Sequence, residues 1–129
     1  MRGRGPQTWE ELLGKIRIEK TRAIGLPEDC WNWYGRTNDG GYGVAYVAGY
    51  SRLMHRFVWE RLIGTIPDKM ELDHLCRNPR CVNPAHLEPV TGEVNNHRKA
   101  FPLYEIKSDE ELSRECADVL AAILDRGAS

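Results

Sequence analysis

The chain of 129 residues fits one domain with a single core, because domains commonly run about 100 to 150 residues. A hydrophobic fraction of 41%, a charged fraction of 29% and no apolar run near the roughly 20 residues of a membrane span exclude a membrane protein and a disordered tail. The net charge of −1 combines +3 over residues 1–101 with −4 over residues 102–129, which is compatible with a polyanionic partner without pointing to one.

The N-terminal third combines a helix signal with a turn-rich stretch. Thr8 followed by Glu11 forms a capping box, which predicts a packing helix through about Lys20. No apolar secretory signal follows the basic N-terminus, so a cytoplasmic location is expected, including that of a phage or mobile-element protein acting in its host cell. Cys30 is predicted in a turn beside two tryptophans, and the glycines that follow introduce a hairpin with strands at residues 44–47 and 51–54.

Short elements are predicted to alternate through the second half of the chain. The pattern predicts a helix at residues 55–62, a strand at 71–75, an irregular loop at 76–85, a strand at 86–90, a helix at 91–100 capped by Thr91, and an amphipathic helix opened by a capping box of Ser108 with Glu111. The loop contains two Asn-Pro turns and little apolar material of its own. Something other than core packing must therefore hold it.

Three metal-ligand residues lie in that loop, with four residues between neighbours: Cys76, Cys81 and His86. A closed structural zinc site needs a fourth ligand, for which Cys30 is favoured over Cys116, because Cys116 falls on the apolar face of the last helix. The alternatives are a chance cluster or a disulfide between the first two cysteines. In a reducing compartment, the spacing favours one structural Zn²⁺ per chain.

A second group of polar residues surrounds the zinc loop. Asp73 and His74 immediately precede it, on a predicted strand that the zinc loop would fix in place. About twenty residues later, Asn95 lies on the following helix, and its amide oxygen is a ligand type suited to a hard divalent cation. Neighbouring Asn96 is the rival for that position. A histidine, a carboxylate and an asparagine on adjoining elements indicate a phosphodiester-cleaving site.

These motifs resemble those of a known enzyme family. Asp73-His74-Leu75-Cys76, Cys81-x-Asn83-Pro84-x-His86-Leu87 and Asn95 resemble the HNH nucleases, also called His-Me finger or ββα-metal nucleases, and are similar to phage-type HNH proteins and His-Cys box homing endonucleases. The resemblance implies an α+β fold. It consists of a ββα-metal core with a zinc-stapled loop, a preceding β-hairpin and flanking helices at both termini.

The resemblance also implies catalytic roles. His74 would be the general base that activates water, and Asn95 would hold one Mg²⁺ or Mn²⁺ ion. Asp73 would be a second ligand to that ion. An arginine of the preceding sheet would reach the scissile phosphate, with Arg52 as first candidate and Arg56 as second.

The expected substrate is DNA. Six basic residues are predicted to bind its phosphates: Arg52, Arg56, Arg77, Arg80, Arg98 and Lys99. The expected division is an N-terminal helical segment at residues 1–25, a zinc-containing HNH nuclease domain at 26–102 and a C-terminal amphipathic helix at 103–129. A homodimer, a protein partner that supplies specificity and RNA as substrate stay open. The alternative function is a non-catalytic zinc-containing nucleic-acid-binding module.

Overall fold

The structure, a computed structural model, describes residues 7–108 together with residues 110, 111 and 114. Its elements are α1 (Trp9–Leu13), β1 (Ile16–Glu19), β2 (Cys30–Trp33), β3 (Val44–Val47), β4 (Tyr50–Leu53), α2 (Met54–Leu62), β5 (Glu71–His74), a 3₁₀ turn (Pro84–His86), β6 (Leu87–Val90) and α3 (Gly92–Ala100). The strands form three antiparallel hairpins, β1–β2, β3–β4 and β5–β6. No helix in this described part is long and apolar enough to cross a membrane.

The first helix begins as predicted and ends early. Both capping-box bonds are present: the Thr8 hydroxyl accepts from the Glu11 backbone N–H at 3.1 Å, and the Thr8 N–H donates to the Glu11 carboxylate at 3.2 Å. The helix predicted through about Lys20 is wrong, because α1 ends at Leu13. After a glycine cap, two isoleucines alternate with charged residues, and this period of two forms β1 instead.

The sequence suggested that Cys30 lies in a turn. In the structure Cys30 is instead the first residue of β2. On one edge β2 pairs with β1 in antiparallel register. On its other edge it holds the loop between β5 and β6: the Val82 N–H donates to the Trp31 carbonyl at 2.8 Å, and the Trp33 N–H donates to the Arg80 carbonyl at 2.9 Å. This strand therefore ties the N-terminal hairpin to the loop that carries the metal-ligand residues.

The main hydrophobic core surrounds Trp33, which is almost completely buried. Its other buried members are Leu12, Ala45, Met54, Val58 and Val82, drawn from α1, β3, α2 and the loop. The indole N–H donates to the Arg36 carbonyl at 2.9 Å, so the one polar group of the ring is satisfied. Gly35 and Gly43 lie directly against the indole ring, where a larger residue has no room.

The predicted strand, loop, strand and helix unit is confirmed within one or two residues at each boundary. In the β5–β6 hairpin, Asp73 lies opposite Glu88 and His74 lies opposite Leu87. The Thr91 hydroxyl caps α3 by accepting from the Val94 N–H at 3.2 Å, and α3 packs on both strands. This packing places Asn95 of α3 close to β5, the strand that contains His74.

The predicted C-terminal helix falls mostly outside the described residues. Its first cap bond is present, because the Glu111 backbone N–H donates to the Ser108 hydroxyl at 3.1 Å. The segment before it returns to the body, where Ile106 forms an antiparallel bridge with Ala23.

Gly43→Ala is expected to lower the free energy of unfolding by about 1–3 kcal/mol, the usual cost of overfilling a packed core. A Cβ atom there would lie 2.5 Å from Cδ1 of the buried Trp33. Gly14→Ala is the matched control, because its nearest neighbour would be an ordinary 3.4 Å contact. Urea unfolding measures both, and equal midpoints for the two variants would contradict this packing.

Candidate functional site

Four buried side chains from separate stretches of the chain meet at one point. The donor atoms of Cys30, Cys76, Cys81 and His86 all lie within 4.8 Å of one another. The Nδ1 atom of His86 is 3.6 Å from the sulfur of Cys30 and 3.6 Å from that of Cys81. The structure thus brings together all four residues that the sequence suggested as zinc ligands, including the distant Cys30.

The imidazole of His86 is oriented with one nitrogen toward the sulfurs. Its Nε2 atom lies 2.9 Å from the carbonyl oxygen of Pro27 and 3.1 Å from that of Glu28. Carbonyl oxygens only accept hydrogen bonds, so Nε2 carries a proton and Nδ1 is the ring atom that faces the cysteines. Such backbone support of the distal nitrogen is usual for a metal-ligating histidine.

The electrostatics of the cluster favour a bound cation. Hydrogen bonds from Cys76 and Cys81 lower the pKa of the Cys30 thiol, whereas the same contact with Cys30 raises the pKa of the Cys76 thiol. Several thiolates this close together repel one another unless a positive charge lies among them. All three cysteines are free, so the disulfide alternative is not found, and this Cys₃His set can hold a tetrahedral zinc ion.

A second site lies on the other side of the zinc loop. A cavity of about 310 Å³ opens between β5, α3 and the zinc loop, and its polar lining consists mainly of Glu71, Asp73, His74, Arg77, Asn95 and Lys99. It brings together the histidine, the aspartate and the asparagine that the sequence grouped by spacing alone. Asn96, the rival of Asn95, does not line this cavity.

His74 is buried and its ring is held in one orientation. Its Nε2 atom lies 3.0 Å from the backbone carbonyl oxygen of Cys81, one of the four residues of the Cys₃His cluster. Because that oxygen can only accept, Nε2 must carry the ring proton and Nδ1 keeps its lone pair. Burial lowers the pKa of His74 to about 4, against the opposing effects of the Cys81 carbonyl and Asp73, so the imidazole is neutral near pH 7.

Asp73 is buried between two arginines. One carboxylate oxygen is 3.4 Å from Nη1 of Arg77, and the other is 3.1 Å from Nη1 of Arg98. Arg98 also contacts Glu88 at 2.7 Å, so its guanidinium joins α3 to both strands of the β5–β6 hairpin. The negative charge of Asp73 is therefore compensated within the protein.

Sequence reasoning missed one carboxylate of the cavity. Asn95 Nδ2 donates to the Glu71 carboxylate at 2.6 Å, which links α3 to the start of β5. In the sequence, Glu71 reads as an ordinary exposed residue at a strand end. Its position two residues before Asp73, on the same side of an extended strand, was the one available signal.

The sequence gives His55 no metal-ligand neighbours and suggests a packing or phosphate-facing residue, without indicating its contact with His74. It lies at the start of α2, buried, with its ring 4.8 Å from that of His74 and 5.4 Å from that of Tyr42. Burial lowers the pKa of His55 to about 3, and its Nδ1 atom has no hydrogen-bond partner among the described residues. The contact between His55 and His74 depends on how α2 lies beside β5, which the sequence does not show.

The basic residues predicted to contact DNA are spread over several environments. Arg52 is paired with Glu60 at 2.7 Å and does not line the cavity beside His74, whereas Arg77 and Lys99 do. Arg80 is exposed and lies over the ring of Tyr34, as does Arg17 on β1. Arg56 is half-buried at the start of α2.

Comparison with known proteins gives a consistent set of matches. A family described as HNH endonuclease matches residues 52–97, which include the histidine, the zinc loop and the asparagine. Protein 7.7 of Escherichia phage T7 is 38% identical over 96 residues, which cover 73% of this chain and 73% of that protein.

Two further phage proteins are similar over shorter stretches. Protein 2.8 of the same phage is 29% identical over 87 residues, covering 67% of this chain and 55% of that protein. The "Uncharacterized gene 5.3 protein" of Enterobacteria phage T3 is 42% identical over 62 residues, covering 43% of this chain and 60% of that protein. The alignments thus reach little more than half the length of these two relatives. No solved structure matches.

Arg98→Ala is expected to lower the free energy of unfolding by about 1–3 kcal/mol, because it leaves the buried Asp73 with only the longer contact to Arg77. Arg52→Ala is the matched control: Arg52 and Glu60 are 38% and 40% exposed, and such pairs contribute less than about 1 kcal/mol. Urea unfolding compares them. An Arg98→Ala effect no larger than that of the control would contradict a structural role for this ion pair.

Proposed function

Because the chain belongs to the HNH endonuclease family, we propose that it is a metal-dependent DNA endonuclease in which His74 is the general base. Membership of the family supports nuclease activity in general. The roles of individual residues rest on the geometry of the cavity lined by His74, Asp73 and Asn95. The observation that carries the proposal is the hydrogen bond from His74 Nε2 to the Cys81 carbonyl, which leaves Nδ1 as a proton acceptor beside two oxygen-ligand residues.

The first step is removal of a proton from water by His74. A general base needs a free lone pair, and the tautomer fixed by the Cys81 carbonyl provides one at Nδ1. The water oxygen attacks the phosphorus, its proton passes to Nδ1, and the bond from phosphorus to the 3′ oxygen breaks. The leaving oxygen then takes a proton from solvent. The products are a 5′-phosphate and a 3′-hydroxyl.

Asn95 is the first ligand that we assign to the catalytic ion. Its Nδ2 is occupied by Glu71, so the amide oxygen is the atom available to a hard cation. Asp73 is the second candidate, although each of its oxygens already contacts an arginine. A bound Mg²⁺ or Mn²⁺ ion would stabilise the negative charge that develops on the leaving oxygen.

Arg77 and Lys99 are the basic residues that we assign to the scissile phosphate, because both line the cavity with His74 and Asn95. Arg52, the candidate from the family resemblance, is paired with Glu60 and stacks on the ring of Phe57. A role for Arg52 in phosphate binding would require it to leave that pair.

The Cys₃His cluster is assigned to one structural zinc ion. Four protein ligands leave no open coordination position for water, so the zinc takes no part in the cleavage step. Its effect on catalysis is through position: Cys81 is both a proposed zinc ligand and, through its carbonyl, the hydrogen-bond partner of His74. The position of the loop therefore determines the orientation of the His74 ring, the proposed base.

Purified protein with Mg²⁺ is expected to convert supercoiled plasmid to the nicked form, which is the minimal activity of a single site. His74→Ala is expected to reduce the rate by about 100-fold or more, since general-base catalysis contributes about 10²- to 10⁴-fold. His97→Ala is the matched control, because His97 is exposed on α3 and packs on Phe101 outside the cavity.

Two outcomes would contradict the proposal. Equal cleavage by wild type and His74→Ala would remove His74 from catalysis or indicate a contaminating nuclease. Failure of the folded wild type to cut DNA with any divalent ion tried would instead favour a non-catalytic zinc-containing nucleic-acid-binding module.

A further inference from the structure

The contact between Glu71 and Asn95 determines which way the asparagine amide faces. At 2.6 Å from the Glu71 carboxylate, Asn95 must present its NH₂ group, because an ionised carboxylate can only accept hydrogen bonds. The opposite orientation would place the amide oxygen against a negatively charged oxygen. The amide oxygen of Asn95 is therefore turned away from Glu71, and both residues line the same cavity as His74.

Glu71 differs from the other carboxylate of the cavity in its partners. Asp73 is buried and contacts both Arg77 and Arg98. Glu71 is exposed, and in the part of the chain that the structure describes its side-chain hydrogen bond is to Asn95 alone. Glu71 thus has a neutral amide, not a guanidinium, as its partner, and the interaction joins the first residue of β5 to the second turn of α3.

We propose that Glu71 is a positioning residue, which holds the Asn95 side chain so that its amide oxygen is directed at the catalytic divalent ion. This inference rests on the proposed function, because it presupposes that Asn95 binds that ion. Fixing the amide in advance removes the cost of ordering it when the ion binds. Residues that support a metal ligand in this way commonly contribute about 10- to 100-fold in metal affinity.

A competing role for Glu71 is that of a direct metal ligand. The two roles make different demands on the side chain. A positioning residue needs only an oxygen that accepts from Asn95 Nδ2, which a glutamine amide also supplies. A direct ligand in this cavity would contribute its negative charge, which glutamine lacks. Glu71→Gln therefore separates the two roles, while Glu71→Ala removes both.

Binding of Mn²⁺ in the absence of DNA tests the proposal directly, with zinc-loaded protein and electron paramagnetic resonance to count free Mn²⁺. Glu71→Ala is expected to weaken Mn²⁺ binding by about 10- to 100-fold. Glu71→Gln is expected to stay within about threefold of wild type, because its amide oxygen can replace the carboxylate toward Asn95. Glu93→Ala is the matched control: it removes an exposed carboxylate from the first turn of α3 that does not line the cavity.

Two outcomes would overturn the proposal: Mn²⁺ affinity unchanged in Glu71→Ala, or lost equally in Glu71→Gln and Glu71→Ala. Plasmid nicking provides a second readout, in which Glu71→Ala is expected to recover most of its rate at saturating metal. Asn95→Ala distinguishes this failure from that of the proposed function. If Asn95→Ala binds Mn²⁺ and cleaves like wild type, Asn95 is not the metal ligand and the positioning role of Glu71 fails with it. If Asn95→Ala loses both while Glu71→Ala loses neither, only the positioning role fails, whereas a folded wild type that does not cut DNA contradicts the proposed function itself.

Discussion

The convergence of three thiols and one imidazole within 4.8 Å is the constraint on which the rest of this structure depends. These donors come from β2, from the loop after β5 and from the turn before β6, and they cannot all be ionised at such separations without a cation among them. The loop that contains most of them has two Asn-Pro turns, and apart from Val82 its buried side chains are the cluster residues themselves and Asn83. A metal ion bound by the cluster would add to the packing of Val82 in holding this segment.

The geometry of the proposed catalytic cavity follows from that constraint through short covalent and hydrogen-bonded links. The carbonyl of Cys81 accepts from His74, which sets the tautomer of the imidazole, while β6 holds the strand that carries it. Arg98 then ties α3 to this hairpin through the buried Asp73. The result is a cavity in which a neutral histidine, an amide oxygen and two basic side chains face a common space. These groups are carried by β5, by the loop that follows it and by α3.

The parts of this arrangement that could be predicted were those encoded locally. Ligand spacing identified Cys76, Cys81 and His86, and a strand, loop, strand and helix pattern placed Asn95 near His74. The first helix was extended too far, because a capping box fixes where a helix begins and says nothing of where it ends. Its end was marked by Gly14 and by the alternation of isoleucines with charged residues that follows.

Residues recruited only by tertiary packing could not be predicted in the same way. His55 reaches His74 because α2 packs beside β5, and Glu71 reaches Asn95 because α3 crosses the start of that strand. Neither contact corresponds to a recognisable spacing of residues along the sequence. The arginines show the same limit, because nothing in the sequence distinguishes Arg52 from Arg77. In the structure Arg52 is paired with Glu60 at the surface, whereas Arg77 lines the cavity.

The central claim, that bound zinc orders the loop and so positions His74, is tested most directly by the zinc content of folded protein purified without added metal. We expect about one zinc per chain in wild type and in a Cys116→Ser control, a cysteine outside the described residues. Cys76→Ser should lose the metal and the folded state together, because a structural zinc site contributes on the order of 10 kcal/mol. A well-folded chain with no bound metal would contradict the account.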